Sequence, residues 1–282
     1  MAPPAFSDIQ KSSNDLLSKD FFHLATAAVD VKSTAPNGVG FTVKGKTGKN
    51  DSIAASIEAK YADKASGLTL TQGWNNANSL DTKIELSELL TPGLKGELAT
   101  SVVPNGPRNA KLNFFYQQNA VNARLFFDLL KGPVALADLS VGHDGFTAGA
   151  ELGYDISSAK VNRYSLGVGY AKPLYTVAAT ATNNLSVFSA AYYHKVSPLV
   201  EAGAKATWDS VKSSNVNVEF ATKYQLDSSA FVKAKIADSG LTALAYSQEL
   251  RPGVRLGLGA SFDALKLAEP VHKLGLSLSF SA

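Results

Sequence analysis

The sequence predicts an all-β, membrane-spanning barrel of about 19 strands with a short N-terminal α-helix in its lumen. Three observations carry this. Side-chain polarity alternates with a period of two from about residue 26 to the end. The alternating segments run about 9 to 11 residues, the length of a tilted membrane-crossing strand, against about 5 to 6 for an average globular strand. The polar face is mostly Gly, Ser, Thr and Asn with scattered charges, whereas the apolar face carries Tyr61, Trp74, Tyr154, Tyr164, Tyr170 and Trp208, as aromatic girdles at a lipid band do.

The chain divides into a helical segment, residues 1–25, and the barrel, residues 26–282. In the first, Phe6, Ile9, Leu16 and Leu17 fit an amphipathic helix that Ser7 can cap, with Asp8 in its first turn. Ser12-Ser13-Asn14 weaken its middle. A barrel this wide leaves an aqueous channel unless something fills it, so the helix is expected inside, narrowing the pore. In the second, Val39, Phe41 and Val43 oppose Gly40, Lys44 and Lys46. Ile53 to Tyr61 and Val121 to Leu129 alternate in the same way, as do Phe146 to Tyr154, Val200 to Trp208 and Leu256 to Phe262. Turns fall between them at Pro36-Asn37-Gly38, Gly48-Lys49-Asn50-Asp51, Pro104-Asn105-Gly106-Pro107, Asp144-Gly145, Asp238-Ser239-Gly240 and Arg251-Pro252-Gly253. The alternation divides least cleanly into strands from Tyr175 to Tyr193. The last segment turns Leu274, Leu276, Leu278 and Phe280 to lipid and Lys273, Gly275, Ser277 and Ser279 to water. No strand edge can face hydrocarbon, so it must close on the first strand, near Ala27 to Lys32, and an odd count makes that closing pair parallel.

Composition excludes several classes. A net charge of +3 is too small for a nucleic-acid binder's basic stripe. Without cysteine there are no disulfides, thiolate metal sites or thiol nucleophiles. The N-terminus lacks the basic and apolar regions of a secretory signal, and Asp8, Asp15 and Asp20 make it a poor presequence. Gly40 to Thr47, GFTVKGKT, matches the phosphate-loop pattern, but Phe41 and Val43 alternate within a strand and no helix follows. His23, His143, His194 and His272 lack metal-ligand spacing. Gly145, Gly149 and Gly153 read as small lumen-facing residues. No paired carboxylates or nucleophile elbow appear, so no enzyme and no cofactor are expected.

The run MAPPAFSDIQKSSNDLLSKDFF, GLTLTQGW at 67–74, the triplet Gly93-Leu94-Lys95, the stretch from Ala221 to Tyr246, LRPGV at 250–254 and the terminal HKLGLSLSF together resemble the mitochondrial porins, the voltage-dependent anion channels, of fungal type. The resemblance covers the whole chain. It implies a mitochondrial outer-membrane channel, weakly anion-selective and partly closing at higher voltage, that passes ATP, ADP, phosphate and respiratory substrates. It implies contact with membrane lipid and sterol, a homo-oligomer, and dealings with mitochondrial import or assembly machinery. By position it assigns nucleotide or anion contacts to Lys11, Asp15 and Lys19 on the helix and to Gly93, Leu94 and Lys95. Lys46 and Lys60 join them as inward lysines. Animal members carry a glutamate on the lipid face where this chain has Gln72, so the resemblance does not bring over the behaviours tied to that charge, hexokinase docking among them. Two other readings compete with this one. A related polypeptide-import pore usually has a longer extension before its first strand than the roughly 25 residues here, an amount suited to one short helix. A soluble all-β binding protein would have shorter strands and an outward face richer in Lys, Glu and Thr.

Overall fold

The structure is a computed structural model; it describes residues 2–48, 52–63, 65–88, 91–130, 132, 134–212, 215–267 and 272–281. Lys49, Asn50 and Asp51 of one predicted turn lie outside the described residues.

Among the described residues nineteen strands form one closed sheet. They are β1 (Ala27–Thr34), β2 (Gly40–Thr47), β3 (Ile53–Asp63), β4 (Leu68–Asn75), β5 (Leu80–Ser87), β6 (Leu94–Val102), β7 (Arg108–Gln117), β8 (Val121–Asp128), β9 (Val134–His143) and β10 (Phe146–Asp155). The second half holds β11 (Lys160–Ala171), β12 (Tyr175–Thr182), β13 (Val187–Lys195), β14 (Val200–Asp209), β15 (Val216–Gln225), β16 (Ala230–Ala237), β17 (Leu241–Arg251), β18 (Val254–Asp263) and β19 (Lys273–Ser281). Each pairs antiparallel with its sequence neighbour, and β1 closes on β19 in parallel, Ala27 opposite Leu276 through Lys32 opposite Ser281. The expected closure is therefore the one observed, and the two faces of β19 are as predicted. The stretch from Tyr175 to Tyr193 resolves into β12 and β13.

The sheet has an apolar outside. Val29, Val31, Phe41, Val43, Ile57, Tyr61, Trp74, Leu98, Tyr164 and Trp208 are all exposed. In a soluble protein this would be a continuous aggregation surface; on a barrel it is the lipid contact. None of the described helices is long and apolar enough to cross a membrane.

The N-terminal segment departs in detail from the predicted helix. Phe6–Asp8 form one 3₁₀ turn, Lys11–Ser18 form the helix α1, and Phe22–Leu24 form a second 3₁₀ turn. Ser7 does not cap; its hydroxyl accepts a hydrogen bond from Arg124 Nη2 at 3.1 Å. The helix also runs unbroken through Ser12-Ser13-Asn14, because contacts with the wall replace what propensity lacks: Ser13 is buried, and Asn14 Oδ1 accepts from Lys205 Nζ at 2.8 Å. Gly145, with φ +87°, sits in the β9–β10 turn predicted at Asp144-Gly145, in a backbone region that favours glycine, and so is not the lumen-facing strand residue it also reads as. Gly149 and Gly153 do lie on β10.

Candidate functional site: the lumen

Because side chains alternate, every second residue of each strand points inward. The inward residues divide the lumen into two kinds of wall. Along β9 to β19 they are often Gly, Ala or Ser, and the N-terminal segment lies in the space this leaves. Phe6 and Ile9 rest over Gly149, Gly167 and Gly169; a Cβ at Gly167 would lie 3.1 Å from the Phe6 ring, and one at Gly169 2.9 Å from Ile9. Leu16 rests over Gly203, where a Cβ would lie 2.9 Å from its methyl. Phe22 fills a notch whose floor is Gly257, Gly259 and Gly275. Phe6, Ile9, Leu16, Leu17 and Phe21 are each about 95% buried although they line a water-filled pore. The same hydrophobic burial that builds a globular core docks this segment.

Polar clips complete the docking. Asn122 Nδ2 donates to Pro3 O at 3.1 Å and Ser140 Oγ to Pro4 O at 2.5 Å. Gln10 Nε2 donates to Ser189 O while Ser189 Oγ donates back to Gln10 Oε1, at 3.1 and 3.2 Å. Arg124 holds Asp138 through a fork of two nitrogens, Nε at 3.0 Å from Oδ1 and Nη2 at 2.7 Å from Oδ2. His23 is held below its ordinary imidazole range, by burial first and then by the nearby Lys235 and Lys273.

The opposite wall, β1 to β4, has no helix over it. Its inward charges on β1, β2 and β3 are Asp30, Lys32, Lys44, Lys46, Glu58 and Lys60, four cations against two carboxylates. None of the ion pairs between described residues includes Lys44, Lys46 or Lys60. Between the two walls, β5 and β6 carry a neutralised lattice. Lys83 reaches Glu85 and Glu97 at 3.1 and 2.9 Å, and Lys95 reaches Glu85 at 2.5 Å.

The predicted site residues are therefore spread over the lumen. Lys46 and Lys60 are free cations on the bare wall. Lys11 and Lys19 face the open lumen from α1 but are each engaged, Lys11 with Asp8 at 3.8 Å and Lys19 with Asp15 at 2.8 Å. The bond to Asp15 holds the Lys19 amine above its usual range. A recess of about 450 Å³ at this end of α1 is lined by Asp15, Lys19, Lys172, Lys195 and Lys223. In the triplet, Gly93 is a turn residue with φ +89°, Leu94 starts β6 on the lipid side, and only Lys95 points inward. Lys95 is bound to Glu85 and lies 5.7 Å from the centre of the Phe115 ring, so it is not a free anion receptor. Gln72 is on the lipid face, level with Ala59 and Thr82. The phosphate-loop look-alike is β2 in its entirety, with no loop and no helix. Among the described residues no three metal-ligating side chains cluster. Sequence reasoning missed the clips Arg124, Ser140, Ser189, Lys205 and Lys233. The signal that could have found the track is the run of inward glycines opposite an N-terminal segment with spare apolar residues.

A closed barrel of 19 strands with a parallel seam and an inner N-terminal helix is a specific arrangement, and the eukaryotic porin family profile matches residues 2–275. The chain belongs to the eukaryotic porin family. Over its whole length it is 82% identical to the mitochondrial outer membrane protein porin of Candida albicans, also over that protein's whole length. It is 53% identical to the protein of the same name from Neurospora crassa, again across all of both chains. To the human non-selective voltage-gated ion channel VDAC1 it is 32% identical over 99% of each chain. Among solved structures, a triple mutant of Rhodopseudomonas blastica porin superposes with a TM-score of 0.53 at 8% identity, covering 83% of this chain and 92% of that one. That likeness is one of barrel fold.

Proposed function

We propose that this porin is a voltage-dependent channel of the mitochondrial outer membrane through which small metabolites diffuse. The names of its relatives support the channel and the membrane. The observation that carries the finer reading is the bare wall. A wide, wet pore with unpaired Lys44, Lys46 and Lys60 on one stretch of wall and neutralised pairs on β5 and β6 beside it favours anions by a modest factor without selecting one ion. ATP, ADP and phosphate are the solutes that such a surface assists. Their phosphates pass between Lys46 and Lys60 on one side and the recess at Lys19 on the other, with Lys11 and Asp15 beside it.

The test is planar-bilayer conductance of the purified, refolded chain under a salt gradient and a voltage ramp. Large single steps, a small anion-favouring reversal potential and partial closure at both polarities are expected. A cation-favouring reversal potential would overturn the role given to the bare wall, and a pore blocked by presequence peptides but impermeant to nucleotides would point to polypeptide transport.

A further inference from the structure

Lys233 is a fully buried lysine, 2% exposed, in a wet lumen. Its position on β16 is inward, in the same alternation that places Lys46 and Lys60 in open water. The difference is what lies over it. Its Nζ donates to Lys19 O at 2.6 Å and to Asp15 O at 3.3 Å, two backbone carbonyls at the end of α1. Asp15 O already accepts from the Lys19 N–H, whereas Lys19 O lies past the last helical turn, and both sit at the negative end of the helix dipole. The cap on Lys19 O comes from the barrel wall. The Asp20 carboxylate at 4.0 Å and the Phe21 ring, 4.9 Å from Nζ to its centre, enclose the rest of the ammonium. One turn earlier, Lys205 on β14 makes the parallel contact to Asn14.

We infer that Lys233 is the wall-side positioning residue of α1, and that Lys233 and Lys205 are charges withheld from the pore for as long as the helix is docked. Both halves follow from the same geometry. Removing the helix strips Lys233 of its acceptors and leaves it in open lumen beside Lys223, its register partner on β15. The docked pore is therefore read by anions through its bare wall. A pore whose helix has lifted presents at least two further cations. This rests on the channel reading above, and it adds that position and selectivity are governed by different lysines.

The chain has no cysteine, so Ser13→Cys, a near-isosteric change at a buried helix position, supplies a single thiol that reports docking. In that background Lys233→Met is compared with Lys46→Met by thiol labelling with a charged methanethiosulfonate and by reversal potential at low voltage. Lys233→Met is expected to speed labelling by about tenfold or more, the factor for losing a charge-assisted hydrogen bond, and Lys233→Arg to restore it. Lys46→Met is expected to leave labelling alone and lower the anion preference. Unchanged labelling in Lys233→Met, or a loss of low-voltage anion preference equal to that of Lys46→Met, would overturn the assignment. Should Lys233→Met not refold, Lys233→Gln, which keeps a donor but not the charge, is read in the same way. A parent chain that does not conduct at all would instead overturn the channel reading, since the labelling result stands without it.

Discussion

The two walls of the barrel are built by one rule and end up with opposite chemistry. On β1 to β4 the inward positions hold Lys44, Lys46 and Lys60, open to water, with Thr69 and Thr71 half-buried beside them. On β10 to β19 the inward positions include Gly149, Gly167, Gly169, Gly203, Gly257, Gly259 and Gly275, all under the N-terminal segment. Alternation alone decides which residues face the lumen. The size of those residues decides where the helix can lie, and the lysines that remain uncovered decide what the pore feels like to an ion. Exposed lysines and the docked segment thereby occupy different parts of the circumference.

The largest way to break this contrast is to fill the track. Gly259→Val would drive a side chain into the backbone at Phe22 and His23, and overpacking of this kind costs about 1–3 kcal/mol. Gly73→Val faces the same lumen on β4, where a Cβ would meet nothing closer than 3.8 Å, and is expected to cost far less. Urea titration in lipid vesicles, together with protease access to residues 2–25, measures both. Equal effects at the two glycines would mean that the helix track has no special role.

The next is to erase the bare wall. A unit charge about 10 Å from an ion in water is worth roughly 0.4 kcal/mol before screening, a factor of about two. Lys46→Gln and Lys60→Gln together are therefore expected to abolish most of the anion preference, and more completely at low salt than high. Reversal potentials in a tenfold gradient give the answer directly. The same substitution at Lys95, which Glu85 already neutralises, is expected to change selectivity less.

The smallest sharpens the docked side by pH. The docked state lowers the His23 pKa, so the released state binds the proton more readily. Docking is then at full strength above the ordinary imidazole value of about 6.5 and weakens as pH falls through it toward the lower, docked value. Thiol labelling at position 13 should rise between pH 7.5 and 5.5 and become flat in His23→Phe. A rise on going to higher pH would reverse the sign and remove His23 from the account.

Much of this was legible in the sequence, and the reason is periodicity. Leu274 to Phe280 announce a lipid-facing strand, and the parallel closure follows from the strand count. Phe6, Ile9, Leu16 and Leu17 announce a helix with somewhere to go. What alternation cannot convey is what lies across the lumen. Lys46, Lys95 and Lys233 are each an inward lysine between outward neighbours, and nothing local tells them apart. One is free, one is bound to Glu85 and one caps a helix more than 200 residues away in the chain. Ser7 is a similar case. Its place before Asp8 reads as a cap, and only the fold shows that Arg124 takes its hydroxyl.

The parallel seam has one more consequence, for how the molecule comes into being. Every antiparallel ladder joins neighbours in sequence and can zip as the chain is made, whereas the seam joins Ala27 to Leu276 and must wait for the final strand. Until then both terminal strands are open edges, which hydrocarbon does not tolerate. The nine residues of β19 thus act as a fastener: without Lys273–Ser281 the parallel seam cannot form.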